Sequence, residues 1–257
     1  MGKKWRGRSP ENVVDELEQI VQTYGIQQVD FEDDNLTFNK KRMEAICDLM
    51  VKRGLDLEWY TPNGVRADGL DAELLAKMRK SGCQRIYVAP ESGVQRVVDG
   101  IIKKNQDLRR VEDAIVNAHR VGIKVSCFFI IGFIGETKQD MQATIAYAHK
   151  LRRLGADRFY FSYATPLTGT ELFRQAKEGG YLSAEFSDEA LAWAQPLIET
   201  PEFTADDLRM LCAQATLVNP MVNRDRFVRA LRNPKKAIGV LIGRTKMTLG
   251  QKQPEKK

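Results

Sequence analysis

A parallel α/β fold is predicted by three observations. Short β-branched or aromatic runs alternate with longer stretches of helical apolar spacing from Ser9 to about Ala164. Glycines stand where successive helices would end, and polar clusters follow the expected strands. The strands read as Gln28 to Glu32, Leu57 to Thr61, Arg85 to Pro90, Lys124 to Gly132 and Arg158 to Tyr163. Helices are expected over about 10–24, 39–53, 71–81, 108–121, 138–154 and 169–177. Ser9 before Pro10 reads as a cap followed by a first helical residue, and Thr137 with Asp140 as a capping box. Gly54, Gly82, Gly122 and Gly155 fall where a left-handed cap would close one helix before the next strand.

The chain opens on a helix with no strand before it, whereas a βα barrel opens on a strand. Either a first strand is supplied from outside these residues or the sheet is open. After Lys177 the pattern changes: Gly179-Gly180 breaks it, and Ser187 to Gln195 and Ala205 to Val218 look helical between Pro196, Pro201 and Pro220. The expected division is a barrel over 1–178, a helical C-terminal extension over 179–249 and a disordered basic tail over 250–257.

Composition narrows the class. The chain has 257 residues, 43% of them hydrophobic, enough to bury a full core, so disorder of the whole is excluded. No apolar run is long enough to span a bilayer, and the basic first ten residues lack the apolar middle of a signal peptide, which points to a soluble cytoplasmic protein. Cys47, Cys83, Cys127 and Cys212 are too far apart for a metal knuckle and read as buried apolar thiols. The formal charge of +6 is uneven: Arg224 to Lys257 holds eleven Lys or Arg against Asp225 and Glu255, a balance of +9, leaving −3 for the rest. That segment could meet nucleic acid or a membrane surface, and Pro234 to Lys246 could instead pack on the barrel.

In parallel βα proteins chemistry collects at the C-terminal strand edge. The first visible strand runs into Glu32-Asp33-Asp34-Asn35, a polar run that wants a cation or donors, or that simply forms an Asx turn. The second runs into Asn63-Gly64-Val65-Arg66-Ala67-Asp68, where Arg66 could hold a carboxylate or pair with Asp68. The third ends in Glu91-Ser92-Gly93, suited to a pair of sugar hydroxyls, with the glycine allowing a ligand close. The fourth ends in Ile130-Ile131-Gly132-Phe133-Ile134-Gly135-Glu136-Thr137, with backbone exposed beside an apolar wall and Glu136 opening a helix. The fifth ends in Tyr163 and the turn Thr165-Pro-Leu-Thr-Gly-Thr170. Lys103-Lys104 reads as a solvated edge, and His119 and His149 as cations suited to helix ends.

In this order the motifs resemble the radical S-adenosylmethionine (SAM) superfamily over about 10–178. Within it they are most similar to the branch that shares its core with the elongator acetyltransferase and methylthiotransferases, especially members with an upstream cobalamin-binding domain. The resemblance implies a partial (βα)6 TIM-like barrel, here lacking its first strand. It also implies S-adenosylmethionine across the strand ends, a [4Fe–4S] cluster that cleaves it to a 5′-deoxyadenosyl radical, a reductant such as flavodoxin or ferredoxin, and cobalamin in the full-length parent. By position, Glu32, Asp33 and Asp34 would meet the methionine amino group, Arg66 its carboxylate, Glu91 and Ser92 the ribose, and Ile130, Gly132 and Tyr163 the adenine.

Two departures stand out. Ile134 replaces the proline of the usual Gly-Phe-Pro-Gly-Glu-Thr stretch, and the three-cysteine CxxxCxxC loop that holds the family's cluster is absent. None of the four cysteines can replace it, so the expectation is a chain cut just after the cluster loop and inert in radical chemistry by itself. The alternatives are a clusterless barrel serving as a binding or scaffold subunit, and a tRNA-modifying radical SAM enzyme.

Overall fold

The computed structural model describes residues 5–193 and 195–219. Five strands, β1 (Gln28–Asp30), β2 (Glu58–Thr61), β3 (Cys83–Glu91), β4 (Lys124–Ile131) and β5 (Arg158–Tyr163), form one sheet in the order β1-β2-β3-β4-β5. Every neighbouring pair is parallel. Helix α1 (Pro10–Tyr24) precedes the sheet, and α2 (Lys40–Lys52), α3 (Ala72–Lys80), α4 (Leu108–Arg120) and α5 (Lys138–Leu154) supply the crossovers. Right-handed crossovers between strands laid down in a single direction put all the helices on one face. This unidirectional order is that of a barrel rather than of a doubly wound sheet, whose order reverses.

Strand β4 shows which face is which. Val125, Cys127, Phe129 and Ile131 are buried while Phe128 and Ile130 are partly exposed, and the Phe129 ring meets Tyr147 of α5 edge-on at 6.5 Å. The helix side is the apolar core, with Leu74, Leu75, Met78 and Ile115 fully buried beneath the strands. Trp59 belongs to it and donates from its indole to the Ser81 carbonyl at 3.0 Å, which satisfies its one polar atom. The opposite face carries a row of rings, Tyr87, Phe128 and Tyr160, with centroids 5.6 and 5.1 Å apart. Nearer the N-terminal strand ends of that face, Arg85 donates to both carboxylate oxygens of Asp157 and to Ser126.

Helices α1 and α5 and strand β5 have the ends that the sequence predicts. Ser9 caps α1 by accepting from Asn12 N, and Thr137 and Asp140 form the reciprocal capping box. Strand β1 is shorter than expected, because the backbone leaves the ladder at the polar run, and β3 is longer at both ends. The helix expected over Ser187 to Gln195 is only a 3-10 turn, Ala190–Trp193. Pro196 forces Gln195 toward extended backbone and has no N–H to give, so a longer helix has no room to close. Two short segments had no sequence signal: a 3-10 turn over Ala67–Gly69 and a π turn over Val97–Ile101.

Helix α6 (Glu171–Glu178) follows β5, and α7 (Ala205–Thr216) packs on β5 and α5. The Asn219 side chain accepts from Phe159 N and donates to Phe159 O, both at 2.8 Å, which covers the outer edge of β5 as a neighbouring strand would. The chain is one compact unit through Asn219. The basic segment 224–257, the stretch 234–246 and the tail 250–257 lie outside the described residues. Among the described residues no helix is long and apolar enough to cross a membrane.

Candidate active site

The C-terminal edge of the sheet gathers most of the expected residues. After β1 the chain turns through Glu32, Asp33 and Asp34, all exposed. Asn63, in the loop after β2, donates to the Glu32 carbonyl at 2.7 Å and ties the two loops together. Three carboxylates thus stand at the sheet edge, and none of them is in an ion pair among the described residues.

Next to them lies a charged cluster that was only half anticipated. Arg66 does pair with Asp68, at 2.6 Å, and it also donates to the carbonyls of Lys104 at 3.3 Å and Asn105 at 2.9 Å. Lys104 is not a solvated edge, in contrast to its neighbour Lys103. Its ammonium donates to the Ala89 carbonyl at 2.6 Å and to Glu91 at 2.7 Å, at the end of β3. The expectation failed because three residues of ordinary type adopt left-handed backbone here: Glu91 at φ 66°, Lys103 at φ 57° and Asn105 at φ 48°. Such conformations cost on the order of 1 kcal/mol for residues with a full side chain and persist only where the surroundings impose them. They turn the 103–105 loop back so that an ammonium thirteen residues beyond Glu91 reaches the strand end.

Ser92 and Gly93 do not serve the edge. Ser92 is fully buried, with its hydroxyl 3.0 Å from Thr144 Oγ1 on α5 while accepting from Val94 N, so the expected ribose contact is not available to it. Gly93 is small for the sake of α5 rather than of a ligand: a Cβ there would lie 2.4 Å from Tyr147 Cβ and 2.8 Å from Thr144 Cα. Gly93→Ala is therefore expected to cost about 2 kcal/mol, the usual scale of forced overpacking, read as a lower urea midpoint with an unchanged slope.

The turn after β4 is organised by a residue whose role the sequence concealed. Glu136 does not open α5, which begins at Lys138 after the Thr137 cap. It is fully buried, and its Oε2 accepts from Gly132 N and Phe133 N, both at 2.9 Å. Burial pushes its carboxyl up to about 7 against those two N–H groups, which lower it. Gly132, at φ 90°, spends its N–H on Glu136, and a Cβ there would come within 2.9 Å of Leu208 of α7. A carboxylate four residues after a strand-end glycine is the signal that would have found this arrangement.

Ile130 lies on the helix-free face with Phe128 and can wall a ligand at the edge. Tyr163 does not join it. It shares the side of Phe159 and Phe161, toward α7, where burial and Cys212 push its hydroxyl up to about 12. The expected adenine contact by Tyr163 fails on strand parity, because side chains two apart point the same way.

The cysteines fit no iron–sulfur cluster. Cys47, Cys83 and Cys127 are buried in the core, and burial holds their thiols well above the ordinary range, the opposite of what thiolate ligands need. Cys212 sits on α7 with its thiol on the Phe161 carbonyl. Among the described residues no group of three or more His, Cys, Asp or Glu could hold a metal ion. A cavity of about 650 Å³ opens elsewhere, on the helix side between the π turn, α4 and α5. The edge itself offers carboxylates for an ammonium, a lysine for a carboxylate, and a hydrogen-bonding carboxylate and an apolar side chain for a sugar and a base.

Comparison with known proteins shows the family and the fold. The sequence model of the Radical SAM superfamily matches residues 1–148. An uncharacterized methyltransferase of Pyrococcus horikoshii is 32% identical over 214 residues, 83% of this chain and 45% of the relative. The cytidylyl-2-hydroxyethylphosphonate methyltransferase of Streptomyces wedmorensis is 35% identical over 206 residues, 78% of this chain and 38% of the relative. The chain thus spans less than half the length of these relatives. Among solved structures, the radical S-adenosylmethionine methyltransferase TsrM of Kitasatospora setae, determined with tryptophan and a SAM analogue, superposes with a TM-score of 0.66 at 14% identity, covering 86% of this chain and 48% of TsrM. That likeness shows the shared fold.

Proposed function

Because the chain belongs to the radical SAM superfamily, we propose that its C-terminal sheet edge holds S-adenosylmethionine for a radical methyl transfer or related reaction carried out by a larger, cobalamin-dependent enzyme. The observation that carries this reading is the Lys104–Glu91 pair at the end of β3, on the same C-terminal sheet edge as the Glu32–Asp34 carboxylates that follow β1. In this assignment Lys104 receives the methionine carboxylate, the Glu32 to Asp34 run receives its ammonium, Glu91 accepts from the ribose hydroxyls, and Ile130 and the Gly132 turn border the adenine. An ammonium held to a carboxylate at 2.7 Å, with about a fifth of each side chain exposed, can exchange partners without stranding a charge in the core.

In this superfamily reductive cleavage of the cofactor at a [4Fe–4S] cluster supplies the 5′-deoxyadenosyl radical. The described residues hold no ligand set for that cluster, so cleavage, its flavodoxin- or ferredoxin-type reductant and cobalamin belong to the proposal for the whole enzyme. Support for cobalamin comes from relatives: TsrM has been solved with cobalamin and a [4Fe–4S] cluster bound. What this chain's residues do is bind and orient the cofactor.

Titration calorimetry with S-adenosylhomocysteine tests the assignment without any cluster. Lys104→Met is expected to weaken binding about tenfold or more, the scale of a charge-assisted hydrogen bond, while leaving adenosine, which has no carboxylate, unaffected. Glu91→Gln is expected to weaken both. Equal affinity of the wild type and both variants would place the cofactor elsewhere.

A further inference from the structure

Resting on that reading of the edge, we infer that Arg66 is a positioning residue for Lys104 and not itself a contact of the cofactor carboxylate. Three facts carry the inference. First, the guanidinium is already spent: it binds Asp68 Oδ2 through Nε at 3.2 Å and Nη2 at 2.6 Å, and the carbonyls of Lys104 and Asn105 through Nη1 and Nη2. Both of those acceptors belong to one loop, thirty-eight and thirty-nine residues away in sequence.

Second, that loop cannot hold its shape by local preference. Lys103 and Asn105 flank Lys104 in left-handed backbone, and a flexible lysine between two such residues would sample other arrangements unless the backbone here were pinned. Arg66 pins two consecutive carbonyls from outside, and the Lys104 amide bonds Val98 O of the π turn at 3.0 Å. Third, the side chain on the residue that carries the first pinned carbonyl is the one that reaches the strand end, donating to Ala89 O and Glu91. Arg66 thus lies one step behind the ammonium, fixing its backbone while Asp68 fixes Arg66. The planar guanidinium spreads its donors in fixed directions over a carboxylate and two carbonyls, which the compact ammonium of a lysine does not reproduce.

A double-mutant cycle separates the two roles. Arg66→Met is expected to weaken S-adenosylhomocysteine about tenfold, but the Arg66→Met, Lys104→Met double variant is expected to bind no worse than Lys104→Met alone, within about twofold, because the effect passes through Lys104. If the two losses multiply instead, Arg66 touches the ligand independently and the inference is overturned. Arg66→Lys, a gentler change at a half-buried position, is expected to lose most of the same affinity, and full rescue by lysine counts against the brace.

Amide exchange in the ligand-free protein judges the brace by itself. Arg66→Met is expected to speed exchange of the Lys104 amide at least about tenfold while leaving β4 protected, and unchanged exchange there would overturn the inference. Should the wild type fail to bind the probe at all, the reading of the edge fails, and the exchange result still decides whether Arg66 holds the loop.

Discussion

Asp157→Ala is expected to cost about 3 kcal/mol, a large share of the stability of a domain of this size. Arg85 sits in the middle of the sheet with 6% of its side chain exposed, and it donates to Asp157 at 2.9 and 3.0 Å and to Ser126 Oγ at 2.9 Å. Asp157 is 37% exposed and could rehydrate if left alone, whereas Arg85 could not. The asymmetry makes the direction specific: removing the carboxylate strands a buried cation, while Arg85→Met, which removes the cation and keeps much of the volume, is expected to cost only about 1 kcal/mol. Urea denaturation of the three proteins checks both values. Equal effects from the two variants would mean that water reaches Arg85 freely.

The second large effect is a pH dependence centred on Glu136. Its carboxyl is raised from 4.5 to about 7, chiefly by burial, with Asp140 raising it further and the Phe133 and Gly132 amides and Arg96 opposing. A folded value above the unfolded one means that the folded state binds the extra proton between those two pH values. Stability from this group is therefore fully present below about pH 4.5 and falls as pH rises through 7. A shift of that size corresponds to at most about 3 kcal/mol. Glu136→Gln keeps an acceptor for the Gly132 and Phe133 amides and cannot ionise, so the difference in stability, variant minus wild type, is expected to climb by about 2 to 3 kcal/mol between pH 4.5 and pH 8. A flat difference across that range would show the carboxyl to be solvated in the folded protein.

Much of the fold was legible because it rests on local signals. Capping residues, helix-closing glycines and strand runs set the ends of α1, α5 and β5 to the residue, and the βα period implies a parallel sheet. What local pattern could not supply was the third dimension. Arg85 within a strand gave no sign of burial, since its partner lies 72 residues away. Lys104 looked like surface because the left-handed turns that aim it at Glu91 occur at ordinary residues.

The candidate site was legible to the same degree. The motif order located the edge, and Glu32, Asp33, Asp34, Arg66, Glu91, Ile130 and Gly132 are all at or beside it. Tyr163 was misplaced although alternation along β5 could have set it on the side of Phe159 and Phe161. Ser92 and Gly93 are turned to α5 by packing that no spacing reveals.

The most direct test of the cofactor assignment is a footprint: hydrogen exchange of this chain by mass spectrometry, with and without saturating S-adenosylhomocysteine. Protection is expected at the C-terminal edge, over residues 31–36, 89–93, 103–106 and 130–136, with none at the opposite end of the strands around Arg85 and Asp157. Protection centred on residues 107–112 and 147–150, which line the cavity between α4 and α5, with none over 31–36 and 130–136, or no protection at any concentration that saturates binding, would contradict the assignment.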